Sequence, residues 1–378
     1  MSPRRQNLLL LLASLTFSLL AAEAVLRMLE PGRPWQRKMQ QPGRLWQVPA
    51  WVFDAHVGAR FSADWKGTFS YKADRPPISV DANRWGFRSP DVDRTKAPGT
   101  RRIALLGDSL FAALQVEAEH HVRRRLEVGL TGTSEVLNFA VPGTGPVAHL
   151  NVYRHFARHF DPDTVVLGIY TANDFTDDRG RRWQDADGNL VERPFVTAPG
   201  DLRKIVKANS ALAMAIWSTT WKRAAEPERE PAPSPSTTES PQGFALAGVS
   251  EQEVENKLAI WNRLAGEVEQ DGRRLVVVLF PQLAESQDGG ARSRNAAESL
   301  HQAIRDRIQR PGVSVLTGGE LLDFHHRRVG DVPWGKAGDY LSEAGHASLA
   351  ELLLQTPALS EPATAGPAQL DQSPTDQD

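Results

Sequence analysis

Three polar residues each follow a short apolar run. Ser109 comes after Ile103-Ala104-Leu105-Leu106 and a Gly107-Asp108 step, Gly143 after the run at 135–141, and Asn173 after the run at 164–170. Serine becomes a nucleophile for acyl transfer once a base takes its proton. Glycine leaves its backbone N–H unobstructed, and asparagine offers a side-chain N–H that does not titrate. Donors of this kind, aimed at one point, hold the oxyanion of a tetrahedral intermediate. Losing one typically costs ~2.7–4 kcal/mol of transition-state stabilisation. The implied chemistry is acyl transfer by attack of Ser109 on a carbonyl, with Ser109 itself, Gly143 and Asn173 forming the oxyanion hole.

That chemistry requires three distant residues to converge, so the elements that carry them matter. From Arg101 on, short runs rich in Val, Ile and Leu alternate with helical stretches. The pattern predicts strands at 102–106, 135–141, 164–170, 274–280 and 313–316. It predicts helices at 111–130, 146–159, 251–270, 296–309 and 342–354. Continuous apolar strands alternating with helices imply an α/β fold: a parallel sheet of about five strands, covered on both faces in three α/β/α layers. In such a sheet ligands gather beyond the carboxyl ends of the strands, where all three residues fall. A serine that opens a helix there also has backbone N–H groups beside any negative charge formed.

The same residues carry a family resemblance. Gly107-Asp108-Ser109-Leu110 resembles the block that names the GDSL hydrolases of the SGNH family. Asn138-Phe139-Ala140-Val141-Pro142-Gly143 resembles their second block, and Thr171-Ala172-Asn173-Asp174 their third, with Thr171 where glycine is usual. Arg84-Trp85-Gly86-Phe87-Arg88 resembles the lead-in of membrane-anchored members. The resemblance spans roughly residues 80–355. It implies a flavodoxin-like sheet, a serine esterase or acyl hydrolase activity, and oxyanion roles for Gly143 and Asn173. It implies no cofactor and no metal.

The family's fourth block pairs an Asp with a general-base His before the last helix. Aligned on Leu341–His346, this chain has Tyr340 where that base belongs, and Asp339 is displaced. Three outcomes stay open. His346 takes over as base with Asp339 orienting it, or the domain binds without hydrolysing, or another residue supplies the base. An O-acyltransferase would use the same serine chemistry.

The remaining histidines read as structural. His155 and His159 have the spacing of a zinc pair on one helix face but lack a third ligand, so a solvated face is expected. His120-His121 reads as surface and His325-His326 as an exposed loop. Asp185-Ala186-Asp187-Gly188-Asn189 fits a calcium loop poorly, because the glycine comes too early and no glutamate completes it.

Composition bounds the rest. The chain has 378 residues, a formal charge of -2 and no cysteine. Thiol chemistry is excluded, and no basic field points to nucleic acid. Arg4 and Arg5 precede an uncharged leucine-rich run, so residues 1–30 read as a signal anchor or signal peptide, with the rest on the exported side. Residues 31–97 form an aromatic-rich irregular extension, and residues 98–356 the catalytic-type domain. That domain carries an insertion at 180–247, with a hairpin at 182–194, an amphipathic helix at 201–222 and a Pro/Ser/Glu-rich linker at 224–243. A low-complexity tail occupies 357–378. The expected partners are a small-molecule or glycan ester substrate and, through the N-terminal helix, a membrane.

Overall fold

The computed structural model describes residues 3–29, 39–40, 50–54, 56–70, 76–130, 133–177, 212, 250–281, 291–335 and 340–360. The expected hairpin, insertion helix (Leu212 apart), linker and calcium-loop segment, together with Asp339, lie outside them.

Helix α1 (Pro3–Leu29) contains a 22-residue stretch, Arg5–Leu26, of mean hydropathy 2.2, none of it buried. At 1.5 Å per residue it reaches about 33 Å, enough to cross the ~30 Å apolar core of a bilayer. The extension that follows contains short antiparallel pieces: β1 (Met39–Gln40), β2 (Trp51–Asp54), β3 (Gly58–Phe61), β4 (Lys66–Phe69) and β5 (Ile78–Asp81). β2 pairs with β3, and β4 pairs with β1 and β5. Phe61, Trp65, Val80 and Ala82 are buried in a small core that also receives Leu114, so several of the aromatics here serve packing.

The main sheet contains β6 (Arg101–Leu106), β7 (Ser134–Asn138), β8 (Thr164–Tyr170), β9 (Arg274–Phe280) and β10 (Val313–Leu316). All pairings are parallel, in the order β10-β9-β8-β6-β7. This is the flavodoxin-like order, and the winding reverses between β6 and β8. Side chains alternate across the sheet. Ala104, Leu106, Val165, Leu167, Val277 and Leu279 join one apolar cluster, while Ile103, Leu105, Val166, Val276 and Val278 join the other.

Helices cover both faces. α2 (Ser109–Ala112) and α3 (Val122–Gly129) follow β6. α4 (Pro146–His155), with a 3-10 turn at Ala157–Phe160, follows β7, and α5 (Asp174–Asp177) follows β8. Then come α6 (Glu251–Gln270), α7 (Ala291–Ile308), α8 (Gly318–Val329), α9 (Glu343–Leu354) and α10 (Pro357–Ser360). Local chemistry sets the starts of the longer ones. Ser250 with Glu253 and Thr317 with Glu320 form reciprocal capping boxes, and the Ser342 hydroxyl accepts from Gly345 N.

Two expectations are corrected by packing. The single helix expected at 111–130 is broken at Ala113, which takes a left-handed φ of 46°. The buried Arg88 guanidinium donates to the carbonyls of Ala112, Ala113 and Val116 at the break, which supplies partners that the interrupted helix does not. The tail expected from residue 357 instead begins with α10, whose Ala358 and Leu359 are buried and whose carbonyls accept from Arg101.

Candidate active site

The serine sits where β6 and β8 crowd together. Gly107 has a φ of +152°, and a Cβ there would press on the Gly168 carbonyl and the Phe111 ring, both at 3.1 Å. Asp108 then caps α2, its Oδ1 accepting from Leu110 N at 2.9 Å. Ser109, half-buried, opens the helix. Its hydroxyl donates to Asp108 Oδ2 at 3.2 Å.

Asn173 reaches the same carboxylate from the end of β8. Its Nδ2 donates to Asp108 Oδ2 at 3.5 Å and to Asp177 Oδ2 at 2.8 Å. Its buried Oδ1 has no partner among the described residues. Flipping the amide would turn that oxygen toward two carboxylates, so electrostatics assign the nitrogen to them. Ser109 and Asn173 therefore meet on one carboxylate oxygen at the point where the winding reverses. Asp108 is 2% exposed. Burial, opposed in part by its hydrogen bonds, pushes its carboxyl above the ordinary carboxylate range.

Gly143 approaches along the other side of β6. Beyond β7 the chain keeps its register: Phe139 N donates to Leu105 O at 2.8 Å and Val141 N to Gly107 O at 3.0 Å. The chain turns at Gly143, which is exposed with a φ of +71°. The glycine thus lies two residues past a residue bonded to the one that precedes Asp108.

His346 does not join this group. It is completely buried in the first turn of α9, stacked on His121 with ring centroids 5.4 Å apart. Among the described residues neither of its ring nitrogens has a hydrogen-bond partner. Burial first, and then the charges of Arg88 and Arg125, push it down to about 3, so it is neutral near neutral pH. Among the described residues no hydrogen bond joins His346, expected as the base, to Ser109. The Ser342 cap turns this part of the helix onto the inner layer, where Gly345 lies against the Pro333 carbonyl. Asp339, the expected partner, lies outside the described residues.

Other histidines depart from expectation too. His121 is 3% exposed instead of lying on the surface. Its Nε2 donates to Phe111 O at 2.8 Å while its Nδ1 accepts from Arg123 N at 2.9 Å, which fixes the tautomer. His325 belongs to α8 and is buried, with Nδ1 at 2.8 Å from Ser348 Oγ. His155 stacks on His56 at 3.6 Å. Among the described residues no group of three or more His, Asp or Glu is placed to hold a metal ion.

The second oxygen of Asp108 is a site feature that the sequence alone does not mark. Beside a turn glycine the residue reads as a helix cap. Its second oxygen gains meaning only from Asn173, 65 residues away.

No family model matches the chain, and no curated protein matches it. Among solved structures, the fold is similar to that of TesA at 14% identity and a TM-score of 0.37, covering 68% of this chain and 98% of that one. It is similar to a lipolytic G-D-S-L family protein from Veillonella parvula at 12% identity and a TM-score of 0.38, covering 68% and 98%. It is also similar to a catalytic mutant of Axe2, an acetylxylan esterase from Geobacillus stearothermophilus, at 11% identity and a TM-score of 0.39, covering 73% and 100%. At these values the likeness bears on no residue's role. The fold assignment rests on the strand order and register described above.

Proposed function

We propose that this chain is an SGNH/GDSL-type serine esterase or acyl hydrolase that acts on ester bonds, with O-acyl groups of carbohydrate as the substrate class, on the exported side of a membrane that α1 spans. The observation that carries the reading is the meeting of Ser109 and Asn173 on one buried carboxylate at the switch point of a flavodoxin-like sheet. Ser109 Oγ attacks the ester carbonyl carbon. The developing oxyanion is held by the backbone N–H groups of Ser109 and Gly143 and by the Asn173 amide. The alcohol leaves, and water releases the acyl group from Ser109. The apolar run of α1, with Arg4 and Arg5 at its N-terminal end, supports an anchor whose basic flank stays in the cytoplasm.

The test is turnover of a short acyl ester such as p-nitrophenyl acetate by the full chain in detergent. Ser109→Ala is expected to abolish it with the thermal midpoint unchanged. Equal turnover by the variant would remove Ser109 from the reaction. One observation favours a second reading, a binding protein without turnover: His346 is sealed in the interior without a bond to Ser109. That reading predicts that a fluorophosphonate leaves Ser109 unlabelled while an acylated glycan binds saturably.

A further inference from the structure

We infer that Asp108, the residue immediately before the nucleophile, is the proton acceptor for Ser109 in this chain and does the work that its family gives to a histidine. The inference rests on the esterase reading above.

The geometry separates this role from that of a cap. A helix cap uses one acceptor, and Oδ1 fills that need on Leu110 N. Oδ2 is surplus to the cap, and its partners are the two polar groups of the site, Ser109 Oγ and Asn173 Nδ2. The Ser109 contact of 3.2 Å is at the outer edge of the ~2.6–3.2 Å over which a base takes a proton. The cap bond locks the carboxylate plane, so Oδ2 stays on the serine. The carboxylate is buried, and among the described residues it forms no ion pair with a cation. The neighbouring charged groups on α5 are also carboxylates, Asp177 across the Asn173 amide and the buried Asp174 beside it in sequence. Burial, opposed in part by its hydrogen bonds, makes Asp108 a stronger base than an exposed aspartate.

The step balances. The Oγ–H proton passes to Asp108 Oδ2 as Oγ bonds to the carbonyl carbon and the C=O pair moves onto oxygen. Negative charge thereby leaves Asp108 and appears on the oxyanion. The Asn173 N–H that faced Asp108 loses its charged acceptor as a new one forms. On collapse the C–O bond to the alcohol breaks, and the alkoxide takes the proton from Asp108. Water then repeats the sequence: Asp108 accepts its proton, hydroxide adds to the acyl carbon, and Ser109 Oγ leaves with the proton returned.

Asp108→Asn tests this, because asparagine caps helices as well as aspartate does but cannot accept the proton. With p-nitrophenyl acetate and the full chain, kcat is expected to fall at least ~100-fold, as removal of a general base does. KM and the thermal midpoint should hold, and the acid limb of the pH–rate profile should vanish. His346→Leu should keep kcat within a few-fold. Turnover lost in Ser109→Ala but kept with its acid limb in Asp108→Asn overturns the inference and spares the esterase reading. Turnover unaffected by Ser109→Ala removes both. Should Asp108→Asn not fold, the phosphonylation rate of Ser109 in the otherwise native protein decides. An acid limb above the ordinary carboxylate range that persists in His346→Leu upholds the inference, and a limb lost with His346 overturns it.

Discussion

At the scale of single residues, the site depends on which polar atoms have partners and which do not. Asn173 gives its amide N–H groups to Asp108 and Asp177, so the donor is held in place before any substrate arrives. Asn173→Ala is expected to lower kcat about 10²–10³-fold with KM little changed, the pattern for a donor that acts only when charge develops. Steady-state kinetics on a short acyl ester measure it, and a rise in KM at constant kcat would mean that Asn173 binds the ground state instead. That Ser109 and Asn173 come together was legible in the sequence, because each closely follows an apolar run that forms a strand of one sheet. The carboxylate they share was not, because nothing local marks the partners of the second Asp108 oxygen.

At the scale of elements, the short helix that Ser109 opens is buttressed by the lead-in segment. The Asn83 side chain accepts from Trp85 N and Phe87 N, both at 3.0 Å, and folds the tight turn that delivers Arg88 beneath α2. Burial lowers that guanidinium to about 10, which leaves it a cation at neutral pH. It holds the carbonyls of Ala112, Ala113 and Val116, while Ser89 Oγ accepts from Asn138 N at 3.0 Å and ties the same segment to β7. Arg88→Met would leave these buried carbonyls without their donor and is expected to cost about 3 kcal/mol, read from the denaturant midpoint. Because α2 starts at Ser109, kcat should fall more than KM rises. A loss of stability with catalysis intact would show that α2 holds its place without this arginine. The strands at 164–170, 274–280 and 313–316 and the helix at 251–270 were legible to the residue, because unbroken apolar runs and a capping box are local signals. The break at Ala113 was not, since its cause lies in a segment some 25 positions earlier. His325 was misplaced in a loop for the same kind of reason: its partner, Ser348, is on another helix.

At the scale of the whole molecule, the buried imidazoles set a limit on acid stability. Burial pushes His149 and His346 down to about 3 and His301 to about 4, and it lowers His121 as well. In the unfolded chain each returns to an ordinary pKa near 6.5. Above that value both states are neutral and nothing is lost. As pH falls below it, the unfolded chain takes up protons that the folded chain refuses, so stability drops. The loss continues until the folded-state values are reached, near 4 for His301 and near 3 for His149 and His346. Each such group contributes up to about 1.4 kcal/mol per pH unit. His149 and His346 alone therefore give roughly 2–3 kcal/mol per unit between pH 6 and 4, a large fraction of the ~5–15 kcal/mol of a typical domain. The thermal midpoint is expected to fall steeply between pH 6 and 4.5 and to be flat above 7. His346→Leu sharpens the test. It removes one refused proton and two ring nitrogens that have no partner among the described residues, so it should raise the midpoint at pH 7 and flatten the acid slope by one proton. A midpoint that holds level from pH 7 to 4.5 in the parent protein would mean that these rings accept protons in the folded state, and that the layer between α3 and α9 admits water.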